Sequence, residues 1–305
     1  MKLALFGLGK MGGNMARRLR RAGVDVVGYN RSNEIVDQLA KEEGLIPAAS
    51  IEDAVKKLSE PRVVWLMLPA GAATEEAIEQ LLPLLAKGDV IVDGGNSNYH
   101  DTQRRGARVA THGVRYCDVG TSGGIWGLAN GYCLMAGGEP AALEIITPVL
   151  KALAPAPDRG WAHVGPVGAG HFTKMIHNGI EYGMMQAFAE GLTLMHGKQE
   201  FNLDLAKITE LWRHSSVVRS WLLDLTAESL KHDQTLEAIA PVVPDSGEGR
   251  WTAIESIDQG VAAPVICTSL YMRFASQGKA DFGHKLLSIM RNAFGGHAMK
   301  TSGKK

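Results

Sequence analysis

The chain has 305 residues, of which 45% are hydrophobic and 21% are charged. This length is sufficient for two domains with a substantial core, and the composition is that of globular proteins, which excludes disordered and fibrous classes. The 32 basic and 32 acidic side chains give a formal net charge of zero. No overall field therefore draws the protein to nucleic acid or to an anionic membrane, and we predict neither as a partner.

The cysteines and the N-terminal residues indicate the compartment. Cys117, Cys133 and Cys267 are odd in number and far apart, which argues against a disulfide framework and against a zinc site. Met1 leads directly into an apolar strand without the features of a signal peptide, and no apolar run reaches the roughly 18 residues of a membrane helix. We predict a cytoplasmic protein that uses no metal.

Short apolar strands alternate with helices in the first half of the chain. The predicted strands are 2–6, 24–29, 62–69, 89–93, 114–120 and 131–138. This alternation is typical of a parallel sheet covered by helices on both faces.

The second half is predicted to be almost wholly helical. The predicted helices are 170–197, 203–213, 217–231, 251–260, 264–277 and 281–292. Between the halves, residues 154–170 are rich in Pro and Gly and contain one last strand. The pattern predicts an α/β domain over residues 1–165 and an all-α domain over residues 166–305.

A glycine-rich turn follows the first strand. It reads Gly7-Leu8-Gly9-Lys10-Met11-Gly12, a G-x-G-x-x-G that opens a helix. The glycines allow a tight turn and the approach of a pyrophosphate to backbone N–H groups at the positive end of the helix. In this strand–turn–helix context, the motif predicts a Rossmann-type doubly wound domain that binds a dinucleotide.

The end of the second strand predicts which nicotinamide cofactor is bound. An NAD site has an acidic residue there, whereas this chain has Asn30-Arg31-Ser32. Arg31 and the Ser32 hydroxyl can bind a 2′-phosphate through charge-assisted hydrogen bonds, so we predict NADP. In the alternative, Arg31 is a solvated loop residue and NAD is also used.

Two more turns follow strands where ligands collect in such sheets. Leu68-Pro69-Ala70-Gly71 is predicted to line the nicotinamide half of the cofactor, and Asn96, in Asp93-Gly94-Gly95-Asn96-Ser97, to bridge cofactor and substrate. A third turn, Asp118 to Gly124, offers the Ser122 hydroxyl and the N–H groups of Gly123 and Gly124 to a carboxylate. Each of these segments has a plain turn as its alternative.

The first predicted helix of the second half has an unusual polar stripe. Lys174, His177, Asn178 and Glu181 fall at i, i+3, i+4 and i+7, so they share one face. Apolar residues, including Ile180, Met184 and Met185, are on the other faces and indicate a helix that is packed on most sides. A dehydrogenase needs a base for the hydroxyl proton, and either Lys174 or His177 is suitable.

With these residues, the chain resembles the short-chain decarboxylating 6-phosphogluconate dehydrogenases of the β-hydroxyacid dehydrogenase superfamily over nearly its whole length. The resemblance depends on GLGKMGGN, YNRS, DGGNS, SGG, GAGHFTKMIHNGIEYG and RNAFGGH. It implies oxidation of 6-phosphogluconate at C3, loss of CO2 and release of ribulose 5-phosphate, with hydride transfer to NADP. The resemblance also implies that the reaction belongs to the pentose phosphate pathway and requires no metal.

The resemblance also implies roles for individual residues. Lys174 matches the general base, and Glu181 matches the acid that protonates C1 of the enediol intermediate. The positions that match substrate-binding residues are Asn96, Ser122, Gly123, Gly124, His177, Asn178, Tyr182 and Arg273, of which Tyr182 and Arg273 match residues that contact the phosphate. Arg291 and His297 match a pair that reaches the active site of a neighbouring subunit, which implies a homodimer or homotetramer assembled through the helical domain.

One segment departs from the family pattern. Where long-chain members have K-G-T-G-K-W, this chain has Ser246-Gly247-Glu248-Gly249-Arg250-Trp251, so two phosphate contacts are replaced and Arg250 is a hypothetical substitute. An alternative function is therefore a related dehydrogenase of a smaller or unphosphorylated acid, such as gluconate or 3-hydroxyisobutyrate. A catalytically inactive NADP-binding regulator is a further alternative, which the presence of both Lys174 and Glu181 disfavours.

Overall fold

The computed structural model describes residues 1–296 and 298–300. The chain separates into two compact units, the N-terminal unit Met1–Ile176 and the C-terminal unit His177–Lys305. The helix Ala169–Gly197 contributes to both units, and the domain boundary predicted near residue 165 stays a prediction. Within the described part of the chain, no helix has the length and apolar character needed to cross a membrane.

The N-terminal unit is built on one eight-stranded sheet. The strands are β1 Lys2–Phe6, β2 Asp25–Tyr29, β3 Ile46–Pro47, β4 Val63–Leu66, β5 Val90–Asp93, β6 Arg115–Ser122, β7 Cys133–Gly138 and β8 Trp161–Gly165. Their order in the sheet is β3-β2-β1-β4-β5-β6-β7-β8. The reversal of strand order next to β1 confirms the predicted doubly wound fold.

Seven helices accompany this sheet. They are α1 Lys10–Arg21, α2 Asn33–Glu43, α3 Ile51–Lys56, α4 Ala72–Leu81, α5 Tyr99–Ala110, α6 Gly127–Asn130 and α7 Pro140–Leu153. Alternate residues of β1 enter opposite layers: Leu3 and Leu5 belong to one apolar cluster, and Ala4 and Phe6 to the other. Since side chains alternate across a strand, the sheet is covered on both faces.

The direction of β7 differs from the predicted parallel sheet. β7 is antiparallel to β6, with Cys117 opposite Gly138 and Ser122 opposite Cys133. The segment between these strands contains a short 3-10 helix, Gly124–Trp126, and α6. It is too short for the crossover of a dozen or more residues that parallel pairing needs, so the chain reverses instead.

The C-terminal unit is helical, as predicted. Its helices are the second part of α8 (Ala169–Gly197), then α9 Leu205–Trp212, α10 Trp221–His232, α11 Glu248–Asp258, α12 Pro264–Ser276 and α13 Asp281–Gly295. The predicted start of α10 at residue 217 is wrong, because the Ser220 side chain caps the helix by accepting a hydrogen bond from Leu223 N. Tyr182, Ala253 and Leu270 form a small buried cluster.

Candidate functional site

The predicted cofactor turn lies between β1 and α1. A Cβ at Gly7, where φ is +87°, would overlap the Met67 carbonyl, and a Cβ at Gly12 would overlap the Gly7 carbonyl. Gly9 has open space around it and is the N-cap of α1, without a side-chain cap and without an acidic residue in the first turn. Two glycines therefore close the turn, and the third leaves the helix N-terminus open to a phosphate.

The end of β2 is tied to this turn. Asn30 accepts a hydrogen bond from Leu8 N through Oδ1 at 3.1 Å and donates one through Nδ2 to Ser32 O at 3.1 Å. Arg31 is exposed, and Ser32 precedes α2 without a side-chain capping bond. An open helix N-terminus, an exposed guanidinium and a hydroxyl at the end of β2 fit a nicotinamide dinucleotide.

The turns after β4 and β5 pack against each other. A Cβ at Gly95 would lie 2.5 Å from the Leu68 carbonyl oxygen, and one at Gly94 would overlap the Trp65 indole nitrogen. Pro69 and Ala70 are exposed beside this contact, as is Asn96. The structure thus brings two of the predicted turns together at the carboxyl ends of neighbouring strands.

A buried network that the sequence did not predict holds the second of these turns. The Asp93 carboxylate accepts hydrogen bonds from Gly95 N at 3.2 Å, Ser97 Oγ at 2.9 Å, Tyr116 OH at 3.1 Å and Arg105 Nη1 at 3.3 Å. Burial, followed by the Asp93 charge, raises the pKa of Tyr116 well above its usual value, so Tyr116 remains a donor.

Arg105 supplies the charge that compensates Asp93. Its side chain is 1% exposed, and its Nε donates to Glu75 Oε1 at 2.8 Å. A buried carboxylate is costly unless it is paired and hydrogen-bonded, and Asp93 is both. The residues that position Asn96 therefore come from β5, α4, α5 and β6.

Three alternate residues of β6 belong to or precede the turn that is predicted to bind a carboxylate. Asp118, Gly120 and Ser122 share one face of the strand, because side chains alternate along it. A Cβ at Gly120 would overlap the Lys174 Cβ and would lie 2.6 Å from the Gly170 carbonyl oxygen. The absence of a side chain at Gly120 therefore allows α8 to bring Lys174, which is 7% exposed, against the strand. Ser122, at the end of β6, is half-buried.

The Ser122 turn has the backbone that glycines permit. φ is +130° at Gly123 and +52° at Gly124, conformations that side chains rarely adopt. The following Ile125 and Trp126 are exposed. Ser122 is thus followed by a tight turn, and the anion role of Gly123 and Gly124 stays a prediction.

The rest of the polar stripe lies on the C-terminal part of α8, which is helical without interruption through Glu181. His177 Nδ1 lies 2.9 Å from Asn178 Oδ1 and 3.9 Å from Glu181 Oε2. The His177 and Glu181 side chains are 39% and 37% exposed. These groups are accessible to a ligand, in contrast to the buried Lys174.

One expectation about α8 is wrong for the single chain. Ile180, Met184 and Met185 are exposed rather than packed, although Met175 is buried. The pattern of apolar residues indicated correctly that the surface is apolar, but it did not indicate what covers it. Close packing occurs instead at Gly179, where a Cβ would lie 2.6 Å from Thr252 Cγ2 of α11.

The residues expected to bind phosphate lie close together in the C-terminal unit. The guanidinium carbon of Arg273 is 3.5 Å from the centroid of the Tyr182 ring, a cation–π arrangement. Tyr182 OH lies 3.2 Å from Ser246 Oγ. Arg250, the hypothetical substitute, forms an ion pair with Asp245 at 2.7 Å, and Glu248, which replaces one of the family's phosphate contacts, is buried.

The predicted tail residues are only partly described. Arg291 is exposed on α13 and lines a shallow hollow of about 360 Å³ with His284, Leu287, Ser288 and Ala298. His297 lies outside the described residues. Among residues 1–296 and 298–300, no group of three or more His, Cys, Asp or Glu side chains is arranged to hold a metal ion.

The fold and these clusters define a class. A doubly wound unit with an open glycine turn, followed by a helical unit that shares a long helix with a lysine and a carboxylate on it, is typical of nicotinamide-dependent hydroxyacid dehydrogenases. Residues 2–165 match the NAD binding domain of 6-phosphogluconate dehydrogenase, and residues 170–285 match the 6-phosphogluconate dehydrogenase C-terminal domain. The chain belongs to the 6-phosphogluconate dehydrogenase family.

Similar proteins include enzymes with either cofactor. The NAD(+)-dependent, decarboxylating 6-phosphogluconate dehydrogenase of Haloferax volcanii is 39% identical over 97% of this chain and 98% of its own length. The NADP(+)-dependent enzyme of Bacillus subtilis strain 168 is 36% identical over 92% of this chain and 62% of its own length. Relatives of both the short and the long type are therefore similar to this chain.

A solved structure agrees with these relatives. The 6-phosphogluconate dehydrogenase of Plasmodium falciparum, studied in its apo form and with NADP+ and 6-phosphogluconate, superposes with a TM-score of 0.84 at 30% identity. The match covers 100% of this chain and 67% of that one. The extra length of the long relative therefore has no counterpart in these 305 residues.

Proposed function

We propose that this chain oxidises and decarboxylates 6-phosphogluconate to ribulose 5-phosphate and CO2, with hydride transfer to NADP or NAD. The observation that carries the proposal is α8, in which a buried lysine and an accessible carboxylate lie two turns apart on one helix. Two turns correspond to about 10 Å along the axis, a separation that suits two groups acting on different carbons of one extended sugar acid.

Lys174 is proposed as the base. A buried amine has little water to solvate its ammonium form, which suits a group that must accept a proton from the substrate 3-hydroxyl. As this proton moves to Lys174 Nζ, the hydride leaves C3 and a 3-keto acid forms. A nicotinamide cofactor held at the glycine turn before α1 would supply the acceptor for that hydride.

Decarboxylation then needs acid groups rather than a base. Protonated Lys174 donates its proton to the C3 oxygen while the C1–C2 bond breaks, and the electron pair of that bond becomes the double bond of an enediol. Glu181 is proposed to protonate the carbon that lost CO2, while the now neutral Lys174 takes the proton back from the C3 oxygen, which gives ribulose 5-phosphate. His177, which is half-buried, is the alternative base.

Substrate binding is proposed for two groups of residues. Asn96, Ser122, Gly123 and Gly124 belong to the N-terminal unit and are assigned the carboxylate end of the substrate, while His177 and Asn178 are assigned its hydroxyls. Tyr182 and Arg273 are assigned the phosphate, which the cation–π contact between them supports because it fixes the guanidinium.

The cofactor preference is proposed to favour NADP. Exposed Arg31 and the Ser32 hydroxyl, which makes no capping bond, are suited to a 2′-phosphate. The Arg31→Ala variant should raise the KM for NADP and leave the KM for NAD nearly unchanged. An unchanged KM for NADP would contradict the assignment.

The assembly is proposed to be a cytoplasmic homodimer or homotetramer in which Arg291 and His297 reach the active site of a neighbouring subunit. Mixing tests this directly: Lys174→Met and Arg291→Ala chains, each inactive alone, should regain activity when dissociated and reassociated together. In a random dimer mixture, about a quarter of the sites would then have both intact residues. No recovery, with mixed dimers present, would contradict the shared site.

The activity itself is tested by the absorbance of the reduced nicotinamide and by ribulose 5-phosphate formation. Wild type should turn over 6-phosphogluconate, whereas Lys174→Met should lose about 10²- to 10⁴-fold in kcat, the range for a lost general base. Lys151→Met, at an exposed lysine of α7, is the matched control. Glu181→Gln should impair product formation, and normal turnover by Lys174→Met would refute the base.

The Asp245–Arg250 ion pair favours one second candidate. Since Arg250 is engaged by Asp245, and Ser246 and Glu248 replace two phosphate contacts, an unphosphorylated acid such as gluconate is the alternative substrate. A kcat/KM for gluconate equal to that for 6-phosphogluconate would overturn the phosphate assignment for Tyr182 and Arg273.

A further inference from the structure

The start of α8 lacks a cap of its own. The residue before the helix is Gly168, which has φ of +96° and no side chain to accept a hydrogen bond from the first turn. Helix N-termini leave N–H groups without intrahelical partners, and in a capping box side chains of the helix bind the N–H groups of the N-cap and of the third helical residue.

A carboxylate from β6 binds these two groups instead. Asp118 Oδ1 accepts from Gly168 N at 2.7 Å, and Asp118 Oδ2 accepts from His171 N at 2.8 Å. These are the N-cap and third-residue amides, so one residue about fifty positions away performs both halves of a capping box. The bidentate arrangement fixes the orientation of the first turn as well as its position.

The surroundings of Asp118 are closed and polar. The Asp118 side chain is fully buried, and burial raises its pKa above the usual value, although His171 and the two backbone donors act in the opposite direction. His171 is also buried, with Nδ1 at 4.0 Å from Asp118 Oδ2 and 2.7 Å from Thr102 Oγ1. Thr102 Oγ1 also lies 3.2 Å from Asn98 O, so His171 is connected through Thr102 to the backbone before α5.

The fixed turn leads directly to Lys174. His171 and Lys174 are one turn apart on α8, and the Lys174 Cβ lies where a side chain at Gly120 would be. Asp118 and Gly120 are two residues apart on the same face of β6. The strand therefore determines both where α8 begins and how closely Lys174 approaches the strand.

We propose that Asp118 is a positioning residue that sets the placement of Lys174 for proton transfer by capping α8 from β6. The inference rests on the proposed function of Lys174. The geometry supports this role, because the two carboxylate oxygens of Asp118 accept from one amide each, Gly168 N and His171 N.

The N-terminal unit offers a matched control. Asp89 is also buried, and its carboxylate also accepts from two backbone amides, Arg62 N at 2.7 Å and Ala86 N at 2.8 Å. It precedes β5, at the amino end of the sheet, away from Lys174. Asp89→Asn therefore removes a buried charge and a bidentate acceptor, together with the ion pair to Arg62 Nη1 at 3.0 Å, at a position outside α8.

The experiment compares kcat and KM for 6-phosphogluconate in Asp118→Asn, Asp118→Ala and Asp89→Asn, each alone and with Lys174→Met. An amide keeps one acceptor oxygen, so Asp118→Asn should lower kcat about 10- to 100-fold, the effect of misplacing a catalytic group by about 1 Å. Asp118→Ala should lower it further, while KM changes less than about twofold. With Lys174→Met present, Asp118→Asn should have almost no further effect, because residues that act as a unit are not additive.

Three results would overturn the proposal: wild-type kcat in Asp118→Asn, an equal loss in Asp89→Asn, or a loss that multiplies fully with that of Lys174→Met. Amide hydrogen exchange separates this failure from failure of the proposed function. Even if wild type does not turn over 6-phosphogluconate, Asp118→Ala should speed exchange at Gly168 and His171 at least about tenfold relative to Asp89→Ala. Unchanged exchange there would refute Asp118 as the cap.

Discussion

The two units differ in how far their large apolar side chains are buried. In the N-terminal unit, apolar residues fill both faces of the sheet, and the buried charges Asp93 and Arg105 are paired. In the C-terminal unit, side chains as large as Leu194, Phe201 and Ile257 are exposed on several helices. Large exposed apolar surfaces usually mark interaction sites. Substitutions in the first unit should therefore test folding and geometry, whereas substitutions on the second should test assembly.

The largest effect is expected in the buried network. Arg105→Met should destabilise the N-terminal unit by about 3–5 kcal/mol, because it leaves the Asp93 carboxylate buried without its cation. Arg108→Met is the matched control, since Arg108 is an exposed arginine on the same helix that pairs with Glu79 at 3.1 Å, and it should change stability by less than about 1 kcal/mol.

Denaturant unfolding, followed by amide exchange of the β5 residues, measures both variants. Comparable small losses in the two arginine variants would show that the N-terminal unit tolerates an unpaired Asp93. Paired charges would then not be needed in the interior of the N-terminal unit, and this difference between the two units would disappear.

A smaller effect is expected at the contact between β6 and α8. Gly120→Ala should cost about 1–3 kcal/mol and lower kcat, because the new methyl group overlaps the Lys174 Cβ and displaces α8. Gly191→Ala is in the same helix, but there an added Cβ would meet no other side chain and no backbone beyond the local helix within 4 Å, so this variant should stabilise the chain by about 0.5–1 kcal/mol.

Thermal unfolding and steady-state kinetics of both glycine variants decide the outcome. An active and stable Gly120→Ala enzyme would mean that the close approach of Lys174 to β6 is unnecessary. A destabilised Gly191→Ala variant would mean that this part of α8 is covered in solution, which would sharpen the contrast between the two units rather than remove it.

Local signals in the sequence predicted most of the fold. Alternating strands and helices gave the doubly wound sheet, and the i, i+3, i+4, i+7 spacing placed Lys174 and Glu181 on α8. The direction of β7 was not predicted, because a short apolar run reads the same in either direction. It depends on connection length, which Gly123–Tyr132 makes too short for a crossover.

The supporting residues of the site were harder to predict. Asp118 caps a helix about fifty residues away, and Arg105 meets Asp93 from another helix, so neither has a local pattern. For Asp118, one signal in the sequence was usable: Asp118, Gly120 and Ser122 alternate along a strand that leads to a predicted ligand-binding turn, so all three share one face. Ile180 and Met185 were expected to be buried, but an apolar pattern shows only that a surface avoids water, not which chain covers it.

The smallest effect on the stability of the single chain is expected on the surface of the C-terminal unit. Leu194 is 76% exposed, so Leu194→Ser should change the stability of an isolated chain by less than about 0.5 kcal/mol. If a second copy covers this surface, losing a buried leucine should weaken association by about 1.5–3 kcal/mol, which is at least about tenfold in the dissociation constant.

Val164→Ser, at an exposed valine of the N-terminal unit, is the control and should leave association unchanged. Sedimentation over a range of concentrations measures all three proteins, and a wild-type monomer at every concentration would show that the apolar surface of the C-terminal unit does not serve self-association.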